Sequence, residues 1–244
     1  LQNDNGYAAM AARTGIDHFV KGTRVTRMDP SLIVWKDIPN GIYFTKIPYL
    51  WPINAPNTFL LNIAKFKAHG MGLTLAAKNL QGSIAANYQA HCTSFTANLD
   101  MNAEHRNPDA ADLIEENFRR HRADGVPRWD KPGNSWNCGH GMEAWASRCL
   151  DNNSVTRPEL HIVEGIYGHD GNFDKGPHDG KPKDFMSNII IFGKNPFHVD
   201  AIGLWLGGHE PGNFGLLHMA LERGMSTLLN PHDIPVYEWS SDSS

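Results

Sequence analysis

Two short stretches of this 244-residue chain gather side chains that can do chemistry. The first is basic. Lys65, Lys67 and His69 alternate along Ala64-Lys-Phe-Lys-Ala-His69, and Gly70-Met-Gly72 follows. In an extended run successive side chains point to opposite faces, so these three groups emerge on one side. The glycines allow a tight turn, and Leu73–Ile84 has a helical pattern carrying Lys78 and Asn79. Free N–H groups and the positive dipole end at a helix start favour negative charge, and lysines beside them would hold a carboxylate or phosphate. Lys65, Gly70, Lys78 and Asn79 are therefore the expected anchors for an anion. Lys67 and His69 are the expected proton-transfer groups.

The second stretch is acidic. Glu164 ends the apolar run Glu159–Ile166, and His169 and Asp170 follow in the glycine-rich stretch Tyr167–Lys183. Ligands of open α/β sheets bind beyond the C-terminal ends of strands. Glu164, His169 and Asp170 offer the oxygen and nitrogen donors that divalent metals take. Glu164 and Asp170 can equally move a proton. The plain alternative is that Asp and Gly here only form turns. Asp200 lies near the start of the apolar helix Pro196–Leu206, where it can reach a ligand, complement the dipole or act as a cap or buried hydrogen-bond partner.

These groups need elements to position them. Leu32–Ile38 and Ile42–Leu50 alternate like paired strands, with Asn40-Gly41 as a hairpin signal. Thr58–Phe66 and Met186–Phe192 read as buried strands, and Pro235–Trp239 as a last edge strand. Helical spacing marks Ala8–Phe19, Asp109–Ala123, Met142–Leu150 and Phe214–Gly224. Strands alternating with helices predict an α/β fold: a mostly parallel or mixed sheet flanked by helices, in a single domain over 1–244. Residues 93–157 read as a long irregular insert rich in His, Trp and Asn.

Composition excludes some classes. With 41% hydrophobic and 20% charged residues the chain is globular, and a net charge of −4 gives no basic face for nucleic acid. No apolar run approaches membrane-spanning length. The three cysteines, Cys92, Cys138 and Cys149, form no C-x-x-C pair, so no four-thiolate iron–sulfur cluster is expected within the chain; a disulfide, if one forms, pairs Cys138 with Cys149. His140 beside Cys138 and His91 beside Cys92 make a Cys/His set without zinc-finger spacing. His18, His105, His121 and His232 have no ligand-like neighbours in the sequence. No G-x-S-x-G elbow, P-loop or dinucleotide-binding glycine motif is present.

Three blocks carry a family resemblance. They are Lys65-x-Lys67-x-His69-Gly70 running into Ala77-Lys78-Asn79-Leu80-x-Gly82; Leu160-His-Ile-Val-Glu-Gly-Ile-Tyr-Gly-His-Asp-Gly171; and Asn195-Pro196-x-x-x-Asp200-Ala201 with Leu221-Glu-Arg-Gly224. Their order and spacing resemble the bacterial and archaeal family called domain of unknown function 362. The resemblance implies a strand–helix unit before Leu1, where any export signal would also lie, so the compartment is not readable. Asn195 stands where the family has Asp. Many relatives carry a ferredoxin-like cysteine module that this chain lacks, so their electron-transfer role is not carried over.

The expectation is a cleft at strand ends that binds a small anionic molecule and a divalent metal, in an enzyme of unassigned class. One alternative is a non-catalytic assembly subunit, with Trp129, Trp136 and Trp145 of the 124–150 segment forming a protein interface. Another is a redox subunit whose cluster lies on a separate chain.

Overall fold

The structure is a computed structural model that describes residues 13–14, 29–69, 72–85, 88, 103–127, 139–171, 176 and 179–239. The expected helix Ala8–Phe19, apart from 13–14, lies outside the described residues, as do Gly70, the His91–Cys92 pair, Trp129, Trp136 and Cys138.

A two-stranded sheet pairs β1 (Ile33–Asp37) antiparallel with β2 (Lys46–Leu50). A four-stranded mixed sheet has the order β4 (Gly72–Thr74), β3 (Leu61–His69), β5 (Leu160–His169), β6 (Asp184–Gly193). Only β3 and β5 run parallel. The helices are α1 (Ala76–Asn79), α2 (Ala110–Ala123), α3 (Gly139–Val155), α4 (Pro196–Leu206) and α5 (Gly215–Glu222). The class is the mixed α/β fold expected from the sequence.

The inner side of β3 carries Asn62, Ala64 and Phe66, all buried, while Leu61 and Ile63 face outward. This is the period-two alternation of a sheet with one covered face. The inner face packs on a core that includes Leu75, Trp145, Leu150, Val163, Phe197, Leu204 and Leu217. A second apolar cluster joins Tyr43, Phe44, Ile47 and Tyr49 to Ile114 of α2 and Ala144 of α3. Helix α3 therefore contributes to both clusters.

Several expectations need correction. Leu73–Ile84 is not one helix. Gly72–Thr74 pairs with Lys67–His69 as a strand, α1 spans only four residues, and a 3-10 turn takes Leu80–Ser83. The described part of 93–157 is largely helical, as expected for Asp109–Ala123 and Met142–Leu150, but the second helix runs further, over Gly139–Val155, and is buried on nearly every side. Trp145 is 1% exposed inside that core, which removes it from any surface patch. Cys149 is buried there too. β6 is an edge strand with Met186, Ile190 and Phe192 exposed, not a buried one. Tyr167–His169 extend β5 instead of opening the loop, and Pro235–Trp239 form no strand.

The link between β1 and β2 is wider than a two-residue hairpin. Ile38 N–H reaches Thr45 O at 2.8 Å, and Asn40 adopts φ 58°. A Cβ at Gly41 would stand 2.0 Å from Phe44 O, so only glycine fits that crossing. The loop's polar groups are held from outside. Asp151 of α3, fully buried, accepts from the N–H groups of Ile42 (3.1 Å), Tyr43 (2.7 Å) and Phe44 (2.9 Å), and from Arg223 at 2.9 Å. His121 of α2 similarly ties Glu143 of α3 (2.9 Å) to Glu222 of α5 (2.7 Å).

Removing one partner of a buried charged network strands the others. Asp151→Ala is expected to cost on the order of 3–5 kcal/mol, read from the urea midpoint, and Asp151→Asn less because one acceptor survives. A loss below about 1 kcal/mol, the range of an exposed pair, would show that the loop is fixed by something else.

Candidate functional site

The basic and acidic stretches lie on neighbouring strands. In the β3–β5 ladder Lys65 pairs with Glu164 and Lys67 with His169, with a register irregularity between them. Lys65 Nζ lies 2.6 Å from Glu164 Oε2, and Glu164 Oε1 accepts from Ile166 N–H at 2.8 Å. The ammonium of Lys65, through its hydrogen bond, holds Glu164 below the usual carboxylate range. Lys67 is two residues further along, so strand geometry puts it about 8 Å from Glu164 across the ladder.

β4 pairs with β3 only over Lys67–His69. Where it ends, the chain turns into α1, and a cleft of about 290 Å³ opens between β3, Thr74 and the α1 turn. Lys65, Lys67, Thr74, Lys78, Asn79 and Gln81 line it, with Leu75 and Gly82, and no acidic side chain among the described residues does. Thr74 is 7% exposed, and its Oγ1 has no hydrogen-bond partner. A buried hydroxyl without a partner costs free energy that a bound acceptor would recover.

Four hydrogen bonds from other elements to its backbone fix α1. Asp200 of α4 accepts from Ala76 N–H at 2.7 Å and Ala77 N–H at 3.1 Å. Asn62 of β3 donates to Ala76 O at 2.8 Å, and Asn153 of α3 donates to Ala77 O at 3.0 Å. The helix start therefore already has its anion, the Asp200 carboxylate. Those two N–H groups are not offered to a ligand, and Asp200, bonded to them, is not among the residues that line the cleft. Asn79 faces back as well, donating to Asn62 Oδ1 (2.8 Å) and Ile63 O (3.0 Å).

The acidic loop is arranged differently from the basic side. His169 Nδ1 lies 2.8 Å from Asp184 Oδ1, and Asp170 Oδ1 accepts from Lys183 N–H at 2.6 Å, closing the base of the 170–183 loop. Glu164, His169 and Asp170 thus each have a different partner. Among the described residues no group of three or more His, Cys, Asp or Glu side chains gathers as a metal site.

Asn62, Thr74, Asp151, Asn153 and Gln81 were not singled out for the site from the sequence. A usable signal existed for two of them: Asp151-Asn-Asn153 is a polar run inside a helix that is otherwise largely apolar. Thr74 gave none.

The family model for the domain of unknown function (DUF362) matches residues 2–205. The chain belongs to this family, and the first two resemblance blocks lie inside the match while Leu221–Gly224 lies beyond it. No curated protein and no solved structure matches the chain. No helix among the described residues is long and apolar enough to cross a membrane.

Burial, then Lys78, then Lys67, pushes the His69 imidazolium down to about 4, and burial alone pushes His161 down to about 4. Histidine signals followed by NMR should therefore show two midpoints near pH 4. Because both folded values lie below the unfolded one, their stability contribution is present above about pH 6.5 and lost as pH falls through 4. Asp200 works the other way. Burial, against the pull of Ala77 and Ala76 N–H, raises it to about 7. Its contribution is present below about pH 4 and lost as pH rises through 7. Asp200→Asn should gain stability relative to the wild type on moving from pH 5 to pH 8. A pH-independent difference between the two in urea midpoint would rule this out.

Proposed function

We propose that this chain binds a small anion, a phosphate or carboxylate group of a metabolite, in the cleft between β3 and α1. One observation carries the reading. Three lysines and an unpartnered buried hydroxyl at Thr74 converge on a cavity that no acidic side chain among the described residues lines. Ammonium groups placed around a concave surface raise the local potential and draw anions in, and charge-assisted hydrogen bonds hold them. The cavity is at the lower end of the roughly 300–1,000 Å³ range of small-molecule sites, which suits a compact metabolite or the charged end of a longer one.

The roles follow from position. Lys67 and Lys78 supply charge, Thr74 donates its hydroxyl, and Lys65 is shared with Glu164 at 2.6 Å. That pair gives the rim a proton donor and acceptor within one hydrogen bond of each other, as a proton-transfer step on a bound molecule would need. His69, neutral at pH 7, stands in the field of Lys67 and Lys78.

Inorganic phosphate titrated into isotope-labelled protein at low ionic strength tests the reading. Saturable shifts are expected at Thr74 and Lys78. An anion that offsets the two lysines should also raise the His69 midpoint above its starting value. Lys67→Met/Lys78→Met should weaken binding at least tenfold, about 1.4 kcal/mol. Unchanged affinity in that variant, or phosphate binding that leaves His69 unmoved, would overturn it.

A further inference from the structure

A second and larger cavity, about 800 Å³, shares no lining residue with the lysine cleft. Its walls come from the Pro39–Ile42 loop, the last turn of α3, the first residues of β5, the β6–α4 turn and the end of α5. Three features show that it is equipped for a ligand.

The first is Asn153. It is 6% exposed and lines the cavity. Its amide nitrogen donates to Ala77 O (3.0 Å) and Cys149 O (2.8 Å). Flipping the amide would set its oxygen against two carbonyl oxygens, so the orientation is fixed by the network. The remaining atom, Oδ1, is buried and has no hydrogen-bond partner. A buried carbonyl oxygen in that state calls for a donor.

The second is His161, 1% exposed and also lining the cavity. Asn62 Nδ2 lies 2.9 Å from His161 Nδ1. The Asn62 amide is oriented by Ala76 O on its nitrogen and Asn79 on its oxygen, so the contact is a donation to His161. His161 Nδ1 is thus the acceptor and Nε2 carries the ring proton. Two residues of the cavity wall therefore carry a buried acceptor without a partner, Asn153 Oδ1, and a ring N–H donor, His161 Nε2.

The third is charge. Arg157, Lys194 and Arg223 line the cavity, and no acidic side chain among the described residues does. Arg223 is bonded to Asp151, which leaves Arg157 and Lys194 as the lining cations without an acidic partner among the described residues. Ile42, Phe197 and Met225 supply apolar wall. The volume is that of a site for a molecule of nucleotide size.

We propose that this cavity is a second binding site, for a monophosphorylated heterocycle whose phosphate meets Arg157 and Lys194. The ring's N–H donor and neighbouring acceptor then meet Asn153 Oδ1 and the His161 Nε2 proton. It is neither a P-loop nor a glycine-motif nucleotide site, and it does not depend on the lysine cleft.

AMP is the probe, with adenosine and inorganic phosphate as its two halves, titrated into the full labelled chain. Saturable shifts are expected at the Asn153 side-chain amide and the His161 ring, with AMP binding at least tenfold tighter than either half. Arg157→Gln/Lys194→Gln, a pair at the cavity's charged side and away from the buried amide network, should lose at least tenfold in AMP affinity. Lys67→Met/Lys78→Met should leave AMP affinity unchanged. The proposal falls if AMP gives no saturable shift at Asn153 and His161, or binds no tighter than inorganic phosphate. It also falls if AMP keeps its affinity in Arg157→Gln/Lys194→Gln, or loses it in Lys67→Met/Lys78→Met, which would move AMP to the other cleft.

Discussion

The rest of the structure hangs on a polar tripod at the end of a buried helix. Successive helical residues point about 100° apart, so Asp151, Asn152 and Asn153 leave α3 in three directions. Asp151 gathers the N–H groups of the 42–44 loop and Arg223 of α5's end. Asn152 accepts from Tyr49 Oη at 2.8 Å, anchoring β2. Asn153 holds α1 by Ala77 O. Such groups are costly to bury without partners. The bonds these three make fix how the 42–44 loop, β2, α1 and the end of α5 meet around α3.

Both cavities inherit their shape from this arrangement. The lysine cleft exists because β4 leaves β3 after Thr74 and α1 is held in the gap by Asp200, Asn62 and Asn153. The larger cavity exists because the loop secured by Asp151 stands away from the start of β5. Asn62 lies between them. It bonds Asn79 of the one and His161 of the other, so the two sites share a wall of ordered amides.

Much of this was legible before any coordinates. The alternation through Lys65, Lys67 and His69 gave their common face, and the apolar run at Glu164 gave the neighbouring strand. Pro196 marked the start of α4 because its ring-fixed φ acts locally, and the structure adds the cap: Asn195 Oδ1 accepts from Phe197 N–H at 2.9 Å. What escaped depends on distant partners. β4 has three residues, too few to show a period, and it is a strand only because β3 lies beside it. α3 is buried all round, so it lacks the amphipathic stripe that marks a helix end to end. Asp200 has the residue type of a ligand-binding group, and only the fold reveals that its ligand is the protein's own α1.

Gly82 carries a consequence for how such a protein changes over time. It lines the lysine cleft, and a Cβ built there meets nothing within 4 Å. It also stands outside the contacts that hold α1 in place. A methyl group placed at this position would meet open space and would touch neither the tripod nor the Asp200 clamp. The dimensions of the opening can therefore change there without a steric clash. The lining of the cleft and the contacts that hold the fold are separable at this position.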